Sequence, residues 1–109
     1  MVKTSIHRLV FISTEKFDKA KHIARILVTE KLAACCSIIP EINSIFAWQS
    51  AIHERHEYII MIKTTEEKLT DLSERVQQLH TDEVPEIISL PISEGLPSYL
   101  DWMIQVISD

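Results

Sequence analysis

Five histidines and two cysteines are the side chains of this sequence best suited to copper or zinc. His53 and His56 are close in sequence, but residues three apart on a strand point to opposite faces, so they cannot share one ion. The same alternation separates the thiols of the adjacent residues Cys35 and Cys36. His80 has no neighbouring histidine. No local group therefore reaches the three or four ligands that a specific site requires.

A second set of polar side chains can meet only if distant segments come together. It supplies a thiol, a carboxylate, an ammonium group, a phenol and a large ring, from Cys35, Glu57, Lys63, Tyr99 and Trp48. If these groups converge, Lys63 holds Glu57 ionised and orients an anionic ligand. No Ser/His/Asp or Cys/His arrangement can be assembled from the sequence, so the residues alone do not indicate an enzyme.

Composition excludes several classes of protein. The 109 residues are 46% hydrophobic and 25% charged, which is typical of one globular domain, predicted over residues 1–109. The net charge is −5 without a basic cluster, so nucleic acid is not an expected partner. The single glycine, Gly95, excludes glycine-rich phosphate loops. Apolar runs are too short for a membrane segment and no signal-peptide pattern is present, so a cytoplasmic location is expected.

Hydrophobic periodicity predicts the elements that must position these side chains. Residues 6–13 contain a short run rich in β-formers, which predicts a first strand. Apolar residues then recur at helical spacing, which predicts a helix that is capped by Thr14 and ends near Leu32. Residues 33–48 predict a long strand, and Pro40 predicts a bend or bulge because proline cannot serve a central ladder position.

The second half of the chain supplies the partners of these elements. Residues 57–63 predict a strand that pairs with the long strand in an antiparallel hairpin, whose tip lies near residues 49–50. Thr64 and Glu67 predict a capping box before a second helix, whose apolar residues repeat through Leu79. The remaining predicted elements are a strand over 85–92, a loop over 93–97 and a helix over 98–107 with Leu100, Met103, Ile104 and Ile107 inward.

The order β-α-β-β-α-β with an additional C-terminal helix predicts an α+β, ferredoxin-like sandwich. Both longer helices then cover one face of an antiparallel sheet. The strands are nevertheless apolar on both faces, since Ile60 and Ile62 alternate with Ile59 and Met61. The terminal helix and another copy of the chain are the available covers, so the sequence predicts a homo-oligomer.

The sequence between Ala24 and Trp102 also resembles the CutA family of divalent-cation tolerance proteins. The resemblance lies in residues 31–36, 39–40, 44–48, 57–64, 80–86 and 99–102. It implies a ferredoxin-like subunit in a compact, PII-like homotrimer that is cytosolic in most settings. It also implies copper or other divalent cations as ligands, with no required cofactor.

Several positions depart from the pattern of that family. Glu41 and Ser50 stand where the family usually has glycine, and Asp82 stands where the family usually has an aromatic residue. Copper-binding members use a cysteine at the end of the first strand and paired histidines after the second helix, where this chain has Ser13 and Leu79-His80. His80 and Cys35 are then the candidate metal ligands, and weak binding of copper or zinc is predicted.

The leading hypothesis is a non-enzymatic, CutA-like trimer that binds a divalent cation or a small anionic ligand weakly at clefts between subunits. The predicted cleft residues are Cys35, Trp48, Glu57, Lys63 and Tyr99. One alternative is a PII-like sensor of a small ligand whose hairpin contacts a partner protein. Another is a small ferredoxin-like enzyme, because the same polar groups could converge between subunits.

Overall fold

The computed structural model describes residues 1–108. Its elements are β1 (Val2–Lys3), β2 (His7–Thr14), α1 (Phe17–Thr29), β3 (Cys35–Trp48), β4 (Ala51–Thr65), α2 (Leu69–Leu79), β5 (Ile87–Pro91), β6 (Glu94–Gly95) and α3 (Pro97–Ile107). Four strands form an antiparallel sheet in the order β3-β4-β2-β5, and β1 pairs with β6 separately. This topology confirms the predicted ferredoxin-like α+β fold.

The main core lies between one face of the large sheet and the helices α1 and α2. Successive strand residues alternate between the two faces, so every second residue of β2 and β4 contributes to this core. Residues 3–4 apart on each helix contribute its buried stripe. The buried members at the centre are Val10, Ile12, Ile23, Leu27, Ile60, Ile62, Leu72 and Val76.

The strands β3 and β4 form a long hairpin, which makes the molecule elongated, with extents of 45 × 25 × 22 Å. Gln49 and Ser50 have φ angles of 48° and 66°, as a two-residue type I′ turn requires, and they form the predicted tip. A bulge opposes two residues, Pro40 and Glu41, to one residue of β4, so the predicted bulge is also confirmed. Glu41 has a φ of 60° there, without the conformational freedom of glycine.

The helix α3 packs at one end of the large sheet. Its residues Leu100, Met103 and Ile107 form a second, smaller core with Ala34. Buried His7 anchors the helix, because one ring nitrogen lies 3.0 Å from the carbonyl oxygen of Leu100. None of the α-helices within residues 1–108 has the length and apolar character needed to cross a bilayer.

Several predicted boundaries are wrong. The helix α1 ends at Thr29 and not near Leu32. Its N-cap is Lys16, so the predicted cap, Thr14, lies two residues too early and donates its hydroxyl to the carbonyl oxygen of Lys16. The predicted capping box does not form, because buried Thr64 donates to the carbonyl oxygen of Leu32 instead. Ile104, predicted to face inward on α3, is 36% exposed.

Several strand boundaries also differ from the prediction. The strand β4 begins at Ala51, six residues before the predicted start, because cross-strand pairing continues through polar residues to the hairpin tip. The strand β5 is shorter than predicted at both ends, and part of the predicted loop over 93–97 pairs as β6. These differences leave the predicted topology unchanged.

Candidate functional site

The face of the sheet opposite α1 and α2, called the second face below, is apolar at its centre. The strand register places its residues in cross-strand rows that include Leu9, Phe11, Ile59, Met61, Ile88 and Leu90. Ile88 is 52% exposed and Leu90 is 41% exposed, so the single chain leaves them largely uncovered. The two ends of the second face carry polar groups, which are the candidate sites.

One end of the second face borders a cleft of about 700 Å³ between the hairpin stem and the loop after α2. This hairpin cleft is lined by the carboxylates of Glu15, Glu54, Glu57, Asp82, Glu83 and Glu86 and by the rings of Phe46, Trp48 and His53. Arg55 is the only Lys or Arg among the described residues that line it. The cleft therefore has a strong excess of negative charge.

Arg55 joins two of these carboxylates through its guanidinium group. Its Nη2 atom lies 2.7 Å from Glu57 Oε2 and 2.7 Å from Asp82 Oδ2. Its Nε atom also donates to Glu57, and its Nη1 atom donates to Asp82. The Phe46 ring lies beneath the guanidinium, with its centroid 5.7 Å from Cζ, which is a favourable cation–π distance.

The strand geometry explains why these groups meet. Arg55 and Glu57 are two residues apart on β4 and so point to the same face, while Asp82 reaches them from the loop after α2. The Arg55 hydrogen bonds hold the pKa of Asp82 below its ordinary value. Burial and the nearby charge of Glu57 raise the pKa of Glu86.

His80 is fully engaged within its own chain. Its Nδ1 atom accepts the backbone N–H of Asp82 at 3.0 Å, so the proton of the neutral ring lies on Nε2. Nε2 donates it to the carbonyl oxygen of Ser13 at 2.6 Å. Its side chain is only 2% exposed. The imidazole therefore ties the loop after α2 to the end of β2, and neither nitrogen is available to a metal without breaking a hydrogen bond.

Cys35 and Lys63 meet at the opposite end of the second face, where they form a cross-strand pair. Lys63 Nζ donates to Ser37 Oγ at 2.8 Å and lies 3.6 Å from Cys35 Sγ. Cys36 points to the core face, as the strand alternation predicts, and burial raises the pKa of its thiol to about 12. Cys36 is therefore a neutral, unreactive thiol at physiological pH.

The five predicted cleft residues do not meet within one chain. Trp48 and Glu57 line the hairpin cleft, while Lys63 lies six residues along β4 from Glu57, about 20 Å away in an extended strand. Within one chain, the partner of Glu57 is therefore Arg55 and not Lys63. Tyr99 lies on α3 beside Trp102, with ring centroids 5.4 Å apart.

Sequence reasoning did not predict that Arg55 and Asp82 meet in the hairpin cleft. Asp82 stands out in the sequence only as a departure from an aromatic residue, and no pattern there singles out Arg55. The one available signal concerned Arg55 and Glu57, which carry opposite charges and lie two residues apart on the same face of β4. Within residues 1–108, no three His, Cys, Asp or Glu side chains are grouped closely enough to hold a metal ion.

Comparison with known proteins gives consistent matches over most of the chain. The family model for the CutA1 divalent ion tolerance protein matches residues 8–106. The divalent-cation tolerance protein CutA of Thermus thermophilus is 43% identical over 98 residues, which cover 90% of this chain and 95% of that protein. The protein CutA homolog of Xenopus laevis is 47% identical over 90 residues, which cover 83% of this chain but only 60% of that protein.

Solved structures give the same answer for the fold. The structure of CutA from Synechococcus elongatus superposes with a TM-score of 0.94 at 33% sequence identity. The superposition covers 98% of this chain and 95% of the other. Sequence and backbone geometry therefore point to one family.

Proposed function

Because this chain belongs to the CutA1 divalent ion tolerance protein family, we propose that it binds divalent copper or zinc weakly at the hairpin cleft. The observation that carries the proposal is an exposed imidazole, His53, in a cleft wall rich in carboxylates. Imidazole nitrogen suits copper and zinc, and the negative charge of the cleft raises the local concentration of cations.

The binding is weak because the stronger candidate ligands are already engaged. Both ring nitrogens of His80 are hydrogen bonded, and the thiol of Cys35 lies beside the ammonium group of Lys63. His53 stacks on Phe46, with ring centroids 5.6 Å apart, and so presents one imidazole to the cleft. A single imidazole with flexible carboxylates lacks the fixed geometry of a high-affinity site. The protein therefore requires no resident cofactor.

The proposal includes a homotrimer without enzymatic activity. The uncovered apolar residues of the second face, among them Ile88 and Leu90, support burial against another copy of the chain. We also propose that Cys35, Lys63 and Tyr99 of one subunit lie near the clefts of its neighbours, since none of them lines the cleft of its own chain. The names of the matched relatives carry no enzymatic activity. We place the protein in the cytoplasm, although a relative from Arabidopsis thaliana is named chloroplastic.

Isothermal titration with copper and zinc tests the metal proposal. The wild type should give a shallow isotherm with a Kd of roughly 10⁻⁴ M, and His53→Ala should abolish most of the binding. His22→Ala, which removes an exposed imidazole from α1, is the matched control and should change little. One tightly bound ion per subunit that is lost in His80→Ala would contradict the proposal, because it would place the site at His80.

The hairpin tip supports a second candidate, a PII-like sensor that acts through a partner protein. Ile45 is 67% exposed and Ile52 is 75% exposed, so the tip offers an apolar surface. Hydrogen exchange at increasing protein concentration separates the two uses of this surface. Protection of the tip that rises with trimer formation would assign it to the subunit contact, while a tip that stays exposed in the trimer would favour the sensor.

A further inference from the structure

Arg55 lies between two carboxylates, one on its own strand and one on the loop after α2. One nitrogen, Nη2, lies 2.7 Å from an oxygen of Glu57 and 2.7 Å from an oxygen of Asp82. Calcium binds carboxylate oxygens at about 2.3–2.6 Å, so an ion at that nitrogen would reach both oxygens after a small shift. The guanidinium therefore lies where a metal cation shared by the two carboxylates would lie.

The surroundings hold this internal cation firmly. The side chain of Glu57 is 6% exposed, and a buried carboxylate requires a positive partner or a proton. The guanidinium contacts Glu57 and Asp82 through three of its nitrogens and lies over the ring of Phe46. These contacts make it a better occupant than a hydrated ion that would first have to lose water.

We propose that Arg55 is a specificity-determining residue that closes the Glu57–Asp82 carboxylate pair to divalent cations and restricts metal binding in the cleft to its exposed rim. The inference deepens the proposed function and rests on it, since it explains why a cleft lined by six carboxylates binds cations weakly. It concerns hard, oxygen-preferring ions, whereas the rim site at His53 concerns copper and zinc.

Removing the guanidinium should open the pair. Arg55→Gln leaves two carboxylates facing each other, with Glu83 and Glu86 in the same cleft wall. We expect this variant to bind Mn²⁺ with a Kd on the order of 10⁻⁴–10⁻³ M, at least about tenfold tighter than the wild type. Isothermal titration gives the affinity, and the electron paramagnetic resonance spectrum of Mn²⁺ reports its direct coordination.

Three further variants decide between a specific site and a general effect of charge. Arg55→Gln combined with Asp82→Asn removes one carboxylate of the pair and should lose the gained affinity. Arg75→Gln is the matched control, because Arg75 also holds a carboxylate, Glu30, through two nitrogens, but at an exposed position. It should bind Mn²⁺ no better than the wild type. Arg55→Lys keeps a positive charge that cannot hold two carboxylates as firmly, so its affinity should be intermediate.

Equal Mn²⁺ affinities of Arg55→Gln and the wild type would overturn the inference. So would a gain of the same size in Arg75→Gln, or a gain that survives Asp82→Asn. If Arg55→Gln does not fold, Arg55→Lys decides the question, and affinity equal to the wild type then overturns the inference. Copper and zinc titrations of His53→Ala test the rim site separately, so the two proposals can fail independently.

Discussion

The two faces of the main sheet are made from the same strands, but only one of them is buried within the chain. On the core face, Ile12, Ile60 and Ile62 are 0% exposed beneath α1 and α2. On the second face, Ile88 is 52% exposed and Leu90 is 41% exposed. The period-two alternation makes both faces apolar, yet the chain supplies helices for only one of them. The core face is therefore stabilised by contacts within the chain, whereas the stability gained from the second face depends on what covers it.

The largest expected effect is on the core face. Ile60→Ala deletes a fully buried side chain and leaves a cavity beneath the helices, which should lower the free energy of unfolding by about 2–5 kcal/mol. Ile88→Ala removes a half-exposed side chain and should lower the free energy of unfolding of a monomeric subunit by less than about 1 kcal/mol. Urea unfolding at low protein concentration measures both variants.

Charge on the second face sharpens the same comparison. In the proposed trimer, Ile88→Glu would bury a carboxylate between subunits. We therefore expect the variant to stay folded, with a mass by light scattering of one chain where the proposal expects three for the wild type. The midpoint of thermal unfolding of the wild type should rise with protein concentration, since unfolding also dissociates the assembly. A wild type that is monomeric at micromolar concentration would contradict the trimer.

An intermediate effect on the free energy of unfolding is expected at the polar end of the second face, where Arg55 contacts Asp82. Asp82→Asn weakens the contacts with Arg55 and should lower the free energy of unfolding at pH 7 by about 1–2 kcal/mol, because the pair is only partly exposed to solvent. Glu30→Gln removes a more exposed carboxylate from Arg75 and should lower the free energy of unfolding less than Asp82→Asn does.

The stabilising effect of Asp82 should depend on pH. The pKa of Asp82 is lowered from an ordinary value of 3.8, so its contribution is fully present above that value and is lost as the pH falls below it. The difference between the wild type and Asp82→Asn should therefore shrink in acid. Urea unfolding at pH 7 and pH 3 measures it, and a difference that grows in acid would show that Asp82 is not stabilised as a carboxylate.

Local patterns predicted most of the fold, and contacts between distant segments explain where prediction failed. The bulge at Pro40 and the hairpin tip follow from the chemistry of a few adjacent residues, and both were found. The capping box failed because Thr64 has a partner, Leu32, that lies 32 residues away. The Arg55–Asp82 contact spans 27 residues and an irregular loop, so neither periodicity nor a motif could reveal it.

The smallest expected effect concerns the hairpin tip, which belongs to neither packed face and where backbone geometry decides stability. Ser50 has a φ of 66°, a conformation that costs a residue with a side chain roughly 1 kcal/mol more than glycine. Ser50→Gly removes that cost, but glycine also has more freedom in the unfolded chain, which offsets part of the gain. We expect a net increase of about 0.5 kcal/mol in the free energy of unfolding.

The matched control for this substitution is Ser44→Gly, which lies in β3 and is not among the residues with positive φ. There glycine only increases the conformational entropy of the unfolded chain, so the free energy of unfolding should fall by roughly 0.5–1 kcal/mol. Urea unfolding of both variants at one protein concentration gives opposite signs if the tip is strained as the φ angles indicate. Equal losses in the two variants would contradict backbone strain at Ser50, because strain predicts a gain there.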